Sequence, residues 1–410
     1  MEKKIKIVND PVHGFIEMPS GVGFEIVNHP WFQRLRNIKQ LGLAHFVYPG
    51  AMHTRFQHSL GAYFLAKQAL DVLTTKGIEI TKEEKEATLL AVLLHDIGHG
   101  PYSHTLERIL LRNICHETIT RAFMHHFNII FEGKLSFAIK IINNDYPKKF
   151  LHQLISSQLD MDRLDYLKRD SFFTGVSEGV IGTERIIKML TVYNDSLAIE
   201  EKGIYSIEKF LIARRLMYWQ VYLHKTVLSS EQLLISIFRR VYSLYQANQI
   251  ILPEKLQFLW NKAWNENDLY QNPELINIFA QLDDSDINVW IKEWTKHRDK
   301  VLALLSTNFI NRKLYKIQML RNPILPELLN EYRQRIKLLY NLSEEDASYF
   351  VFSDSAENYA YSIADNRINI LFKNGQLLDI SEASDILNID ILSKSVIKYF
   401  FCYISECLTK

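Results

Sequence analysis

The densest group of reactive side chains in this 410-residue sequence lies at residues 95–104, which read His-Asp-Ile-Gly-His-Gly-Pro-Tyr-Ser-His. Buried charge is costly unless it is paired or binds a metal, and imidazole with carboxylate is a common ligand set for divalent transition metals. The glycines let the backbone turn sharply, so that the later histidines can return to the same place. The stretch therefore predicts either a metal site or a hydrogen-bonded helix end, and His95-Asp96 alone does not decide between them.

Helix start signals surround this stretch. Thr81 with Glu84 forms a capping box before an apolar run that stops at Gly98, which predicts that His95 and Asp96 lie in the last turn of a helix. The negative partial charge of a helix C-terminus would favour a cation there.

Other start signals predict further helices. Thr54 with Gln57 opens a helix to about residue 73, with Arg55 one turn before His58. More helices are predicted from Pro30 through residue 40, from 157 to 170 and from 206 to 227. Together they indicate a helical bundle.

After about residue 340 the sequence pattern changes from one typical of helices to one typical of strands and turns. Tyr349-Phe350-Val351-Phe352 and residues 368–372 read as strands, and Asn374-Gly375 is a strong hairpin signal. The predicted fold class is mainly α, with a small C-terminal α+β appendage. The predicted division is a core at 1–245 that includes the N-terminal segment, a helical extension at 246–340, and a small α+β region at 341–410.

Composition excludes several classes of protein. Lys+Arg 48 against Asp+Glu 47 gives a formal net charge of +1, which argues against nucleic acid or an anionic membrane as a partner. The three cysteines show no ligand-like pair spacing, and no stretch approaches the roughly 18 apolar residues of a membrane span. We therefore expect a cytoplasmic protein without disulfides.

Distant residues strengthen the metal interpretation. His58 lies upstream, His116-Glu117 lies downstream, and an acidic run spans residues 160–166. A shell of two histidines and two carboxylates would leave coordination positions open for water and a substrate oxygen, which hydrolysis needs.

The order of His58, then His95-Asp96, then a late aspartate at 160–163 resembles the HD phosphohydrolase superfamily. Within it, five segments resemble the deoxynucleoside triphosphate triphosphohydrolases of bacterial and human antiviral type. The similarity covers roughly residues 4 to 230 and implies an HD-domain helical bundle. The five segments are residues 9–14, 32–36, 39–42, 54–61 and 222–225.

The resemblance implies a divalent metal held by His58, His95, Asp96 and Asp162. Asp160 is then expected to cap a helix or to support the ligands. Two histidines and two carboxylates suit iron, manganese, nickel or zinc, with magnesium or manganese accompanying substrate phosphates.

The resemblance also implies substrate contacts. Asp162, Tyr166 and Asp170 recur every fourth residue on one helix face and span roughly 12 Å, about a phosphate tail plus a sugar. Arg163 stands where familiar family members carry lysine, and Tyr218 is expected in an aromatic core stripe. Arg55 could instead be a solvated surface arginine. The implied contacts are Arg55 and Arg163 to phosphate, Gln40, Leu41, Tyr166 and Asp170 to the sugar, and Arg214 and Tyr222 elsewhere on the substrate.

The expected reaction is attack of metal-activated water at the α-phosphorus, which releases a deoxynucleoside and inorganic triphosphate. His99, His104 and His116 are candidates for the proton donor because imidazole titrates near neutrality, and Glu117 could orient His116. By resemblance, His104 is favoured as the acid, His99 as a phosphate contact, and His116-Glu117 as support.

Family members are commonly oligomers that a nucleotide assembles, so we expect a dimer or tetramer regulated by deoxynucleotides. Asn28 occupies the position at which the human antiviral dNTPase has an aspartate that recognises guanine. An amide offers different donors and acceptors, which argues against a guanine-specific activator. The other candidate allosteric contacts are Lys6, Asn9, Gln33, Arg36, His224 and Lys225.

Three other functions stay open at this point. The chain could hydrolyse nucleoside monophosphates, or cyclic dinucleotides, although the Gly-Tyr-Pro motif expected for the latter does not follow the His-Asp pair. It could also be a regulator that binds nucleotide or nucleic acid without turnover.

Overall fold

The computed structural model describes residues 6–112, 114–358, 367–384 and 396–408. Most of these residues are helical, and the strands form three small sheets. The helices are α1 (Val22–Asn28), α2 (Pro30–Gln33), α3 (Arg55–Thr75), α4 (Lys82–Leu94), α5 (Ser103–Leu110), α6 (His116–Ile130), α7 (Ser136–Ile142), α8 (Lys149–Gln153), α9 (Met161–Thr174), α10 (Thr183–Met189), α11 (Ile204–Met217), α12 (Lys225–Gln246), α13 (Glu254–Trp260), α14 (Glu266–Gln271), α15 (Pro273–Ala280), α16 (Asp284–Trp294), α17 (Lys300–Ile310), α18 (Pro326–Tyr340), α19 (Glu344–Ala347) and α20 (Ile380–Ala383). The strands are β1 (Ile7–Asp10), β2 (Gly14–Glu17), β3 (Leu190–Tyr193), β4 (Ser196–Glu200), β5 (Lys316–Leu320), β6 (Val351–Asn358), β7 (Asn369–Leu371), β8 (Leu377–Asp379) and β9 (Val396–Tyr403).

Helix α3 forms the centre of the bundle. It is apolar on most of its surface and packs against α4, α9 and α10, as expected for a helix buried on nearly all sides. Its contact with α9 is close at Gly61, where a Cβ atom would lie 2.0 Å from Asp165 Oδ1. Glycine is therefore required for the approach of these two helices, which bring their polar side chains together. The predicted mainly α fold is confirmed.

Both predicted capping boxes are present. The Glu84 backbone N–H donates to Thr81 Oγ1 at 3.1 Å, and the Thr81 N–H donates to Glu84 Oε2 at 2.8 Å. At the start of α3, the Thr54 N–H donates to Gln57 Oε1 at 2.8 Å. These bonds satisfy N–H groups that a helix start otherwise leaves unpaired.

The predicted helix 157–170 is α9, which begins at Met161, after the cap Asp160, and ends at Thr174. Two further predicted helix ends differ from the structure. The helix from Pro30 ends at Gln33, because the next residues form a 3₁₀ turn and then pair with the segment before α3. The Gln40 N–H donates to the His53 carbonyl at 3.0 Å. Helix α4 ends at Leu94, so His95 and Asp96 lie in the turn after it. There the Thr120 hydroxyl donates to the His95 carbonyl at 3.0 Å and accepts from the Gly98 N–H.

The predicted helix 206–227 is two helices separated by a π-helical turn at Tyr218–Tyr222. Helix α12 then starts afresh, with His224 Nδ1 accepting a hydrogen bond from the Thr226 N–H at 3.2 Å. Single π-helical turns often lie at functional sites. Here the turn carries Tyr222, whose hydroxyl reaches Asp170.

Strands β7 and β8 lie where the sequence predicts them and are joined through Asn374-Gly375. Strand β6 begins at Val351 rather than at residue 349, β9 was not predicted, and β5 lies within the segment predicted as a helical extension. Strands β7 and β8 extend the β3-β4 sheet, with β4 and β7 parallel, while β5, β9 and β6 form an antiparallel sheet. These pairings cross the predicted boundaries at 246 and 341, and the three-part division remains a prediction. Residues 359–366, 385–395 and 409–410 of the last part lie outside the described residues.

No helix within the described ranges combines the length and apolar character that a bilayer crossing requires.

Candidate metal centre and active site

Four side chains from three elements meet at the base of a cleft. His58 comes from α3, His95 and Asp96 from the turn after α4, and Asp162 from the first turn of α9. Asp162 Oδ1 lies 3.1 Å from His58 Nε2 and 3.5 Å from His95 Nε2, and Asp96 Oδ2 lies 3.6 Å from His58 Nε2. The structure thus brings together all four residues that the resemblance implies as ligands.

Hydrogen bonds orient both imidazoles towards this point. His58 Nδ1 lies 2.8 Å from Asp165 Oδ2, and His95 Nδ1 lies 2.6 Å from the Val92 carbonyl. Since both partners are acceptors, each Nδ1 carries hydrogen and each Nε2 faces the carboxylates. Among the described residues neither buried Nε2 has a partner with hydrogen-bond geometry. Two imidazole nitrogens beside two carboxylates suit a divalent transition metal.

The same point attracts positive charge. Burial alone lowers the pKa of His58, but the nearby carboxylates of Asp162 and Asp165 outweigh it and raise the pKa to about 10. Burial likewise opposes ionisation of Asp162, yet His58 and His95 hold its pKa below the ordinary value. A cation at this point, either a proton or a metal ion, is therefore favoured by the protein.

A buried network supports His58 from behind. Asp165 accepts from His58 and Arg169, and its Oδ1 lies 2.7 Å from His13 Nε2. Arg169 Nη1 also donates to Asp10 Oδ2 at 2.7 Å. The turn between β1 and β2 is thereby connected to a candidate metal ligand. These roles were not predicted from the sequence, although Asp165 and Arg169 are spaced i, i+4 and residues 9–14 belong to a family motif.

Arg55 is buried rather than solvated, with 3% of its surface exposed. Its Nε donates to Ser103 Oγ at 2.9 Å, and its Nη1 donates to Asp96 Oδ2. The surface interpretation of Arg55 is therefore wrong. Its charge is located directly beside the candidate metal ligands.

Three histidines form a second cluster beside the first. The rings of His99 and His116 stack with centroids 3.8 Å apart, and His104 lies edge-on to both. Burial and then the charge of Arg55 hold the pKa of His99 well below its usual value, so His99 is neutral at physiological pH. The His104 side chain is 70% exposed and is accessible to a ligand.

Glu107 is the carboxylate that orients His116. Its Oε1 accepts from the His116 backbone N–H at 2.6 Å and lies 2.6 Å from His116 Nδ1. Although burial opposes it, hydrogen bonds with His104 and His116 hold the pKa of Glu107 far below normal. Glu117, which the sequence argument assigned to this task, is mostly exposed and lies 3.4 Å from His116 Nε2. The i, i+3 spacing of His104 and Glu107 was the available signal.

The other side of the cleft is aromatic and acidic. Tyr222 donates to Asp170 Oδ2 at 2.8 Å, and His53 Nε2 lies 2.7 Å from Asp170 Oδ1. Burial raises the pKa of Tyr166 to about 12, so its hydroxyl stays protonated. Tyr218 is half-buried and lines this cleft, and its expected place in the core is wrong.

The cleft has a volume of about 440 Å³, within the usual range for a small-molecule site. His58 and His95 lie beneath its surface. Arg163 binds the helix cap Asp160, and Arg214 Nη1 donates to Gln158 Oε1 at 2.9 Å, so neither lines the cleft. The predicted residues that do line it are Gln40, Leu41, Arg55, Asp96, His99, His104, His116, Asp162, Tyr166, Asp170 and Tyr222.

The candidate allosteric residues lie in two regions. Lys6 lies 4.2 Å from the ring centroid of Phe24, and Arg36 Nε donates to Gln33 Oε1 at 2.8 Å. The remaining residues are Asn9 in β1, Asn28 at the end of α1, and His224 and Lys225 at the start of α12. Their regulatory role remains a prediction.

Comparisons with known proteins agree with this architecture. Residues 55–170 match the HD domain model, and residues 181–258 match the model of the HD associated region. The chain is 31% identical over 396 residues to the uncharacterized protein YwfO of Bacillus subtilis, covering 93% of this chain and 88% of that protein. It is 29% identical to the deoxynucleoside triphosphate triphosphohydrolase SAMHD1 homolog of Dictyostelium discoideum, covering 67% of this chain and 57% of that protein.

The structural comparison extends over nearly the whole chain. The crystal structure of a phosphohydrolase from Bacteroides thetaiotaomicron superposes with a TM-score of 0.93 at 50% identity, covering 98% of this chain and all of that one. Together with the two histidines and two carboxylates at the base of the cleft, these similarities show that the chain belongs to the HD-domain phosphohydrolases and resembles their dNTPase branch.

Proposed function

We propose that this protein hydrolyses deoxynucleoside triphosphates to deoxynucleosides and inorganic triphosphate in a reaction that depends on a divalent metal. The observation that carries the proposal is the meeting of His58, His95, Asp96 and Asp162 at the base of a cleft large enough for a nucleotide. The similarity to SAMHD1 proteins of Dictyostelium discoideum and Gallus gallus supports this choice of substrate.

His58, His95, Asp96 and Asp162 would hold the metal, which we propose is iron, manganese, nickel or zinc, and magnesium or manganese would accompany the phosphates. A bound divalent ion supplies Lewis-acid activation of water and of a phosphoryl oxygen. The residues around it bind and orient the substrate and deliver a proton.

The cationic and histidine side of the cleft would take the triphosphate. Arg55 lies beside Asp96, where its charge can contact a phosphate oxygen. Neutral His99 can contact the phosphate without adding charge. His104 is exposed to the cleft and would protonate the leaving 5′-oxygen, while Glu107 keeps His116 stacked on His99.

The aromatic side would take the deoxyribose. Tyr166 and Asp170 lie on one face of α9, and Tyr222 closes on Asp170 from the π-helical turn. Gln40 and Leu41, which we also assign to the sugar, line the same cleft. Arg163 and Arg214, which we assign to phosphate and substrate, would have to leave Asp160 and Gln158 when the substrate binds.

The proposal includes regulation. We propose that the cytoplasmic enzyme is a dimer or tetramer, and that a deoxynucleotide activator contacts Lys6, Asn9, Asn28, Gln33, Arg36, His224 and Lys225.

Product analysis tests the proposed function. Purified protein is incubated with each dNTP, singly and mixed, with manganese or magnesium. Stoichiometric deoxynucleoside and inorganic triphosphate are expected. Orthophosphate or pyrophosphate, or turnover of only monophosphates or cyclic dinucleotides, would contradict the substrate assignment. Absence of turnover in every mixture would favour a binding role.

Metal removal is expected to abolish hydrolysis and lower thermal stability together. At a free metal concentration about 100 times Kd, binding adds about 2.7 kcal/mol to the free energy of unfolding. Melting temperature and turnover are measured before chelation, after it, and after metal is restored. A chelated protein with unchanged melting temperature and full activity would rule out the metal centre.

Glu107→Gln is expected to lower kcat by about 10- to 100-fold, because His116 loses the carboxylate that orients it. Glu117→Gln, a matched change on the neighbouring exposed carboxylate, is expected to change kcat less than twofold. Steady-state kinetics of both variants decides which carboxylate supports the histidine cluster. Equal losses, or a larger loss for Glu117→Gln, would contradict the assignment.

A further inference from the structure

One carboxyl group in the cleft, that of Glu231, has no role in the proposed metal binding, proton transfer or sugar contact. Asp96 and Asp162 belong to the metal centre, and Asp170 is bound by His53 and Tyr222. Glu231 also lines the cleft, and within the described parts of the chain no basic side chain lies within ion-pair distance of it. Burial raises the pKa of Glu231 to about 7, and a hydrogen bond with Thr105 only partly offsets it.

The surroundings of Glu231 place it between the wall of the cleft at Leu41 and the edge of the histidine cluster. It lies one turn after Val227 on α12, and Val227 packs against Leu41 and Ala44. Thr105 follows His104, the proposed proton donor at the 5′-oxygen. Glu231 therefore faces the space between the wall at Leu41 and the histidine cluster. An anionic triphosphate would be repelled by this carboxyl, whereas a base would not.

An acceptor without a partner lies in the same cleft. Gln40 Oε1 is a buried atom that has no hydrogen-bond partner among the described residues. An unpaired buried acceptor costs free energy, so a ligand that donates hydrogen bonds gains affinity here. Guanine offers three N–H hydrogens on its pairing edge, adenine and cytosine offer two, and thymine offers one.

We infer that Glu231, assisted by Gln40, reads the base of the substrate and favours nucleotides with an exocyclic amino group over thymidine nucleotides. This inference rests on the proposed function. Glu231 is a specificity residue that accepts hydrogen bonds from the amino group and does not take part in the bond-breaking step.

The test is kcat/KM for the four dNTPs in the wild type and in three variants. Glu231→Gln keeps the size of the side chain, Glu231→Ala removes it, and Glu293→Gln makes the same charge change on the exposed surface of α16. The wild type is expected to prefer the amino-bearing substrates to dTTP. Both Glu231 variants are expected to reduce that preference about tenfold, within the range of one base contact, while turnover of dTTP changes less than threefold. Glu293→Gln should keep the wild-type ratios.

Equal kcat/KM for all four substrates in the wild type, or variant ratios within twofold of the wild-type ratios, would overturn the inference and leave the proposed function standing. Absence of dNTP turnover by the wild type would overturn both. Because the ratios are measured within one protein preparation, a partly unfolded variant lowers all four rates equally and cannot imitate loss of base preference.

Discussion

Asp162→Ala is expected to leave the protein folded while turnover falls by more than about 100-fold, beyond the usual effect of losing only an outer partner of a metal ligand. Asp162 Oδ1 lies within 3.5 Å of both candidate imidazole ligands, so its loss removes a carboxylate from the centre of the set. It lies in the first turn of α9, where Asp160 still caps the helix. Metal content by elemental analysis, circular dichroism and turnover are measured on the same preparation.

The matched control is Asp145→Ala, which removes an exposed carboxylate from the loop before α8. It is expected to keep metal, helicity and turnover. If Asp162→Ala retained wild-type metal content and turnover, the four-ligand assignment would be wrong.

Asp165→Ala is expected to lower the free energy of unfolding by about 3 to 5 kcal/mol, the usual cost of removing one partner of a buried ion pair. Asp165 and Arg169 are both fully buried, and Arg169 would retain Asp10 as its acidic partner in this network. His58 also loses the acceptor that fixes its Nδ1 hydrogen, so metal affinity is expected to fall about 10- to 100-fold. Urea unfolding and metal titration measure the two effects.

Asp165→Asn separates the two effects, because the amide keeps the volume of the side chain and loses its charge. It is expected to fold better than the alanine variant and still bind metal less tightly than the wild type. A loss of less than 1 kcal/mol in Asp165→Ala would show that the network is not a main source of stability.

The loss of stability at acidic pH is also expected to depend on Asp165. Burial alone would raise the pKa of Asp165, but Arg169, His13 and His58 together hold it well below the usual value. The stability that Asp165 contributes is therefore present above the unfolded pKa of about 3.9 and is lost as the pH falls towards the folded value. Between about pH 5 and pH 2 the wild type should lose stability more steeply than Asp165→Ala.

The sequence predicted features that depend on local chemistry. Both capping boxes, the β7-β8 hairpin and the mainly α fold are confirmed, because each rests on hydrogen bonds or periodicity within a few residues. The ordered motif set led to the right family. The grouping of His58, His95, Asp96 and Asp162 followed from that resemblance, since spacing alone cannot bring residues about 100 positions apart into contact.

The sequence did not predict features that depend on tertiary contacts. The helix from Pro30 stops early because residues 38–40 pair with the segment before α3. Glu107 of α5, rather than the adjacent Glu117, binds His116 Nδ1 and its backbone N–H across nine residues of sequence. The roles of His13 and Asp10 depend on a hairpin that contacts α9 from the far end of the sequence. Each is a packing outcome that the local pattern does not specify by itself.

The parallel pairing of β4 with β7 has a consequence for synthesis of the chain. The two strands are separated by about 170 residues, so β4 emerges from the ribosome long before its partner exists. At a synthesis rate of about 5 to 20 residues per second, the free edge of β4 stays unpaired for roughly 10 to 30 s. An unpaired strand edge is a template for pairing with other chains, so during this interval the nascent protein exposes a site for aggregation.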